Sequence, residues 1–399
     1  MNDLHVVKHS DDEIRNAMQL AILVLVSITC LLLIIGVVMV YSAVSPSAIR
    51  YGSFEKAHTQ LIYGLLAVCV VVAFALVPFR WYRTKIMALG FFILALFLQA
   101  LVFIPALSVS VGGNTNWVNL KFFSLQPSEF LKLGLIMAIS YIFFRHPLEK
   151  NKKKRFGYAG AATIVALGVL LVGTGDMGTA LVFFAFLVGM FVLGGVSIPR
   201  KYMIPGFGLA GIGVVLLLLI GNSRIERIKL WKENFFSTPR TMQPTQVDYS
   251  LWAFGSGGIG GTGLGSGVEK WPGSMAEAQT DFIFAVIGEE LGLFGSLIVV
   301  LAFVTFGWSC MHIVRYHPDN FARYLVSGIG LWIVVQAVFN MLVVTGLLPV
   351  FGVTLPFISQ GGSSLLANAM AVGVVMACAL SPRGVKESLV AHIPGLLKK

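Results

Sequence analysis

The chain has 399 residues, of which 57% are hydrophobic and only 12% are Asp, Glu, Lys or Arg, against about 25% charge in an ordinary globular chain. Its mean hydropathy is +0.84 and its formal net charge is +11. These values exclude a single water-soluble domain and a disordered chain, and the long unbroken apolar stretches exclude a barrel of alternating strands.

Residues 1–18 form a polar N-terminal tail of mixed charge. The apolar run at 19–43 is too long for a signal-peptide core, and no small-residue cleavage site follows it, so it reads as a retained span. Nine more stretches of spanning length follow, at 60–79, 86–108, 126–144, 158–174, 178–197, 204–221, 281–307, 322–347 and 360–380. The expected fold is an all-α polytopic membrane protein of about ten transmembrane helices over residues 19–380, with a C-terminal tail at 381–399. The division of the fifth helix from the sixth rests on the short break Gly173-Thr174-Gly175-Asp176. Cys30, Cys69, Cys310 and Cys378 fall in or beside apolar runs without metal-ligand spacing, and read as buried small hydrophobes.

Ten spans put both termini on one side. Nineteen of the 29 Lys and Arg residues fall on that side of the alternation, six of them between Arg145 and Arg155. The positive-inside rule makes it the cytoplasmic side. The net charge is then a topology signal, and nucleic-acid binding is not expected. The opposite face receives the segments 44–59, 109–125 and 173–177 and the long segment 222–280.

On the fourth span, Glu129 and Lys132 follow Gln126-Pro127-Ser128 at a spacing that lets them meet on one helix face. They read either as a structural pair or as a lysine set to neutralise a phosphate. Asp176 can cap the following helix or line the same outer cavity. Within 222–280, Arg224, Glu226, Arg227, Lys229 and Lys232 share a helix face, suited to lipid headgroups or to a phosphate. Eight glycines lie between Gly255 and Gly267. Gly255-x-Gly257-x-x-Gly260 is not a dinucleotide fingerprint, because no strand opening a βαβ unit precedes it. These glycines suit tight turns or close approach of a large ligand.

Asp281 opens the eighth span, as a first-turn cap or as a functional acid. Glu289 and Glu290 lie deeper, where at least one must face the interior. Gln336 and Asn340, four apart on the ninth span, read as interhelical hydrogen-bonding groups. Two prolines and several glycines interrupt the chain between Thr345 and Ser364, as in segments that line a cavity. These features alone leave a transporter and a membrane enzyme level.

Several motifs then align in order. Tyr41-Ser42-Ala43, Trp117-Val-Asn119, Gln126-Pro-Ser-Glu129-Phe-Leu-Lys132, Asp176-Met-Gly178-Thr179-Ala180, Glu277-Ala-Gln-Thr280-Asp281-Phe-Ile-Phe, Glu289-Glu290-Leu-Gly292, Gly346-Leu-Leu-Pro349 and Leu355-Pro-Phe-Ile-Ser-Gln-Gly361-Gly362-Ser363-Ser364 stand along the chain. Together they resemble the SEDS family, with its FtsW and RodA branches, slightly more the FtsW division branch. Departures are Asn116 for a usual Arg, Gly175 for Pro, Gln279 for His, Leu342 for Gly and Gln360 for Tyr, with a longer lead-in at Trp271–Ala276.

The resemblance implies a peptidoglycan glycosyltransferase of the bacterial inner membrane. It would polymerise lipid II, a disaccharide-pentapeptide on a polyprenyl diphosphate, on the extracytoplasmic face. It would work with a class B penicillin-binding protein and other division or elongation proteins. A lipid II flippase and a non-catalytic scaffold for the transpeptidase are the alternatives. Asp281, Glu129 and Lys132 are the expected catalytic residues. Arg224, Arg227, Asp176, Trp117, Glu277 and Ser363 are the expected substrate-binding ones. Asp281 would act as base, or as ligand to a divalent cation, Mg2+ or Mn2+, shared with the diphosphate; no organic cofactor is expected.

Overall fold

The computed structural model describes residues 9–111, 114–119, 124–174, 176–195, 231, 244–276 and 278–389. The seventh expected span, 204–221, lies outside them, as do Arg224, Arg227 and Glu277. Among the described residues, eight helices are long and apolar enough to cross a membrane, and a shorter apolar helix, Gly178–Leu193, stands beside them. The protein is an all-α polytopic membrane protein.

Helix α1 (Asp11–Tyr51) begins well before the expected span. Ser10 Oγ accepts the Glu13 N–H and the Glu13 carboxylate accepts the Ser10 N–H, a capping box that satisfies two orphan donors. It ends at Gly52, whose φ of 70° is the left-handed geometry of a helix C-terminus. α2 (Glu55–Leu76), the single turn α3 (Phe79–Tyr82) and α4 (Lys85–Ala100) follow, the last ending in a 3-10 turn, Leu101–Phe103. Three short strands then form an antiparallel meander that the apolar pattern does not announce: β1 (Ser108–Val111), β2 (Asn114–Asn119) and β3 (Ser124–Leu125). Next come α5 (Pro127–Arg145), α6 (Leu148–Thr174) and α7 (Met177–Leu193). The expected break between the fifth and sixth spans is present, with Asp176 as the N-cap of α7. α8 (Gln246–Gly257) lies inside the segment read as a loop, started by a Thr245–Asp248 capping box. α9 (Ile283–Tyr316), α10 (Asn320–Val344) and α11 (Gly362–Ala379) complete the bundle.

α5 is buried on nearly every face and packs against α4, α6, α10 and α11. A helix apolar all round and covered all round is a central helix, so its polar residues, Glu129 and Lys132 among them, sit in the middle of the protein. α1 lies along α9, and α2 along α11. Leu23, Ile34, Leu65, Ile93 and Phe294 point outward, as lipid-facing positions do. Cys310 and Cys378 are buried, whereas Cys30 and Cys69 lie on the exposed apolar surface rather than inside; all four are free thiols. One basic-loop residue turns inward: Arg155 donates to the carbonyls of Phe143, His146 and Gly194 and to Tyr324 Oη, tying together the ends of α5 and α7.

α9 is not continuous. Gly292 has φ 65° and ψ −160°, which splits the helix into a short first part and a long second part. Ser42, Glu289, Glu290 and the glycine-rich segment after α8 meet at this break.

Candidate functional site

The site is built on the start of α5. Lys132 Nζ donates to Glu129 Oε1 at 2.7 Å and to Gln336 Oε1 at 2.8 Å, and lies 5.0 Å from the Trp332 ring centroid. Both members of this ion pair are almost fully buried. The i,i+3 spacing brings them together as expected, and α10 supplies the rest of the cradle. Trp332 Nε1 donates to the same Gln336 oxygen, and Gln336 Nε2 donates to Thr354 O at 3.1 Å. Glu129 Oε2, Ser128 Oγ and Asn116 Oδ1 are buried without a hydrogen-bond partner. Such a concentration of unmet acceptors calls for water or a polar ligand.

Asp176 joins this cluster from α7. It accepts from the Thr179 N–H at 3.0 Å, from Thr179 Oγ1 at 2.7 Å and from Asn116 Nδ2 at 2.7 Å. Burial pushes its carboxyl above the usual range; the Thr179 bonds pull it back, and it lies within electrostatic reach of Glu129 and Lys132. Asp176 therefore caps a helix and also lines the polar cluster. Strand alternation explains which residue of β2 reaches it. Asn116 and Val118 point inward and are buried, while Trp117 is on the other face. Trp117 is thus not gathered with Asp176, and its neighbour Asn116 is.

Asp281 lies in the turn before α9. The N-cap position is Phe282, without a side-chain cap hydrogen bond, and Asp281 stands one residue before it. Its backbone is tightly held. Asn340 Nδ2 donates to Asp281 O and to Val353 O, both at 2.7 Å. Ser359 Oγ donates to Thr280 O at 2.6 Å, and the Gln360 N–H donates to Gln279 O at 2.9 Å. A Cβ on Gly352, itself at φ 73°, would come within 3.5 Å of Asp281 Oδ2. The interrupted segment 345–361 is therefore the backbone shelf beside this carboxylate.

α10 connects the two halves. Gln336 holds Lys132 and Asn340 holds the Asp281 backbone, one turn apart, so their anchors are separated by about 6 Å along the helix axis. The i,i+4 polar pair on an apolar span was the visible signal. Its partners, Thr354 and the 281 carbonyl, had none. Ser363, second in α11, accepts the Gln126 N–H at 3.0 Å and ties α11 to the start of α5. No group of three or more His, Cys, Asp and Glu residues that could hold a metal occurs among the described residues.

A family model described as cell cycle protein, for FtsW, RodA and SpoVE, matches residues 22–383. The chain is 36% identical over 366 residues to the probable peptidoglycan glycosyltransferase FtsW of Trichlorobacter lovleyi, covering 89% of this chain and 92% of that protein. It is 36% identical over 362 residues to stage V sporulation protein E of Bacillus subtilis, covering 89% and 95%. Among solved structures, a chain of a peptidoglycan synthase complex that coordinates polymerization and crosslinking superposes with a TM-score of 0.72 at 22% identity, over 90% of this chain and 98% of that one. The rod shape determining protein RodA of Thermus thermophilus gives 0.66 at 22% identity, over 90% and 96%.

Proposed function

The chain belongs to the FtsW, RodA and SpoVE family of cell cycle proteins, and from that premise we propose how it acts as a peptidoglycan glycosyltransferase. The substrate is lipid II, and the product is a glycan strand still carried on polyprenyl diphosphate. Both termini are cytoplasmic, by the skew of Lys and Arg, and the site opens to the extracytoplasmic face. A class B penicillin-binding protein is the partner that crosslinks the strand. The observation that carries this reading is the pairing, through one turn of α10, of a buried lysine with the backbone of Asp281 in the turn before α9.

The reaction joins the anomeric carbon of one lipid-linked sugar to a hydroxyl of another. Asp281 takes the proton from the acceptor hydroxyl, and that oxygen attacks the anomeric carbon. The bond from that carbon to the diphosphate oxygen breaks, and the diphosphate leaves with the electron pair. Partial burial beside the Gly352 backbone suits a carboxylate to the base role. Lys132 has two of its three protons on Glu129 and Gln336, and the third offsets charge on the diphosphate. Glu129 keeps that lysine charged at membrane depth. Asp176 and Asn116 extend the polar lining, and Ser363 fixes it at the α5–α11 seam. Among the described residues Asp281 belongs to no group of three or more His, Cys, Asp or Glu side chains, so Mg2+ or Mn2+ fits here only with diphosphate oxygens completing the donor set. When bound there it would supply further positive charge for the leaving group.

The test is Asp281→Asn, assayed on purified protein with lipid II and a class B partner. Asn keeps the size and removes the charge. Polymerisation should fall at least about a hundredfold, the scale of a general-base contribution, with yield and partner binding unchanged. Polymerisation at near-parent rates would remove Asp281 from the site. A folded parent that moves lipid II across vesicles without making polymer would replace the reading itself.

A further inference from the structure

The break in α9 is filled by another part of the chain. At Gly292 the carbonyls of Glu289 and Glu290 lose their helical partners, and so do the N–H groups of Leu293 and Phe294. The glycine-rich segment takes all four. Thr262 N–H donates to Glu289 O at 2.9 Å and Gly263 N–H to Glu290 O at 3.0 Å, while Leu293 N–H donates to Gly258 O and Phe294 N–H to Ile259 O. This needs backbone against backbone. A Cβ on Gly257 would meet Gly288 O, and one on Gly261 would meet Glu290 O. These glycines serve close approach to α9, not to a ligand.

The two carboxylates lock the same segment. Glu289 accepts the N–H groups of Val268 at 2.6 Å and Glu269 at 3.2 Å. Glu290 accepts the Gly265 N–H at 3.0 Å, the Ser42 hydroxyl at 2.6 Å and the Lys270 ammonium at 2.5 Å. Lys270 Nζ also donates to Ser42 Oγ at 2.9 Å and to Gly265 O at 3.0 Å. Three protons meet three acceptors, so this lysine has none left for a phosphate. Both members of the Lys270–Glu290 pair are fully buried.

We infer that Ser42, Lys270 and Glu290 form a clip that positions Asp281. The inference rests on the proposed role of Asp281. The first part of α9 is a rod, buried from Phe282 to Glu290. One end carries Asp281, and the other carries the clip. From residue 283 to 291 the rod is about 12 Å long, so a tilt of about 5° at the clipped end moves the far end by about 1 Å. A misplacement of about 1 Å costs up to about a hundredfold in rate. Asn340 and Ser359 hold the backbone beside Asp281, and the clip sets the angle at which the rod meets them. Ser42, Lys270 and Glu290 are positioning residues and touch no substrate.

A purely structural ion pair and a positioning clip differ in the charge-free double variant. Glu290→Gln and Lys270→Met alone each leave a buried charge without its counter-charge and should destabilise the protein. Lys270→Met combined with Glu290→Gln removes both charges and should recover most of that stability. If the clip positions Asp281, the double variant stays at least about tenfold down in kcat for lipid II polymerisation, with KM within about twofold of the parent. Recovery of kcat along with stability would overturn the inference. A second measurement does not depend on activity. Ser42→Ala keeps the ion pair, and hydrogen exchange should then rise both at 262–270 and at 281–288. A rise confined to 262–270 would also overturn it. Failure of the parent to polymerise lipid II would instead count against the proposed function, and the exchange result would still decide whether the clip governs the rod.

Discussion

Lys132→Met tests how the centre of the bundle is held together. Met keeps most of the stem's length and removes the ammonium. In the parent, that ammonium is held by Glu129 Oε1, Gln336 Oε1 and the Trp332 face. Glu129 Oε2 already has no partner, so the variant leaves an almost fully buried carboxylate with neither oxygen paired. Breaking a buried pair from one side costs about 3–5 kcal/mol. A folded protein holds about 5–15 kcal/mol in total, so Lys132→Met should fold poorly. Glu129→Gln should cost less, because the amide oxygen still accepts from Lys132. The double variant, Glu129→Gln with Lys132→Met, carries no buried charge and should recover most of the loss. Unfolding in mixed micelles of rising dodecyl sulfate fraction supplies the four stabilities of the cycle. The coupling energy should be at least about 2 kcal/mol, beyond the roughly 0.2–1 kcal/mol typical of exposed pairs. The double variant should remain inactive in polymerisation although folded. Lys132→Met unfolding at the parent's detergent fraction, or a coupling below about 0.5 kcal/mol, would refute the reasoning.

Two glycines with left-handed φ separate backbone strain from contact: Gly52→Ala faces open space, whereas Gly261→Ala drives a Cβ into the Glu290 carbonyl. The first should cost about 1–2 kcal/mol and the second clearly more, and equal unfolding midpoints would remove the close packing of the glycine-rich segment on α9. Glu269→Gln tests pH linkage outside the spans: partial burial and then the neighbouring Glu289 charge raise the Glu269 carboxyl above its usual 4.5. A raised carboxyl contributes stability below its unfolded value and loses it as pH rises through the folded one. The variant should therefore melt higher than the parent at pH 7 and alike below about pH 4.5, and a difference confined to acid pH would contradict this. For topology, a reporter active only in the cytoplasm should work after residue 399 and be silent when inserted at 236–246; the reverse pattern would invert the assignment.

Much of the fold was legible because spanning helices announce themselves by length and apolarity. The misplaced boundaries have local causes. α1 starts at Asp11 because Ser10-Asp-Asp-Glu13 is a capping box, a signal masked by reading only hydropathy. α8 hides in the long segment 222–280 for the same reason, behind Thr245-x-x-Asp248. Asp281 precedes an apolar run, which suits a first-turn cap or a functional acid alike, and the helix starts two residues later, with Phe282 at the cap position. The break at Gly292 had no local warning beyond the glycine itself. The groups that satisfy it lie some 30 residues upstream, and such a break is stable only where those partners are present.

The same distinction applies to the site. Glu129 and Lys132 could be paired from their spacing alone, because three residues of helix put them on one face. Gln336 and Asn340 could be placed on one face of α10, yet nothing local said what they hold. Each is a small amide that bridges two other elements, Gln336 between Lys132 and Thr354, Asn340 between Asp281 and Val353. A helix turn is among the least variable lengths in a protein, about 5.4 Å. Anchoring a cation to one residue and a carboxylate's backbone to the next turn makes their separation a property of α10 rather than of the loops that carry them. That is why α5, the turn before α9 and the 345–361 segment, which are distant in sequence, can present one site. It also explains why the polar residues of α10 matter more than their modest chemistry suggests: neither amide has an acid–base role, and the distance from the Lys132 ammonium to the Asp281 backbone depends on both.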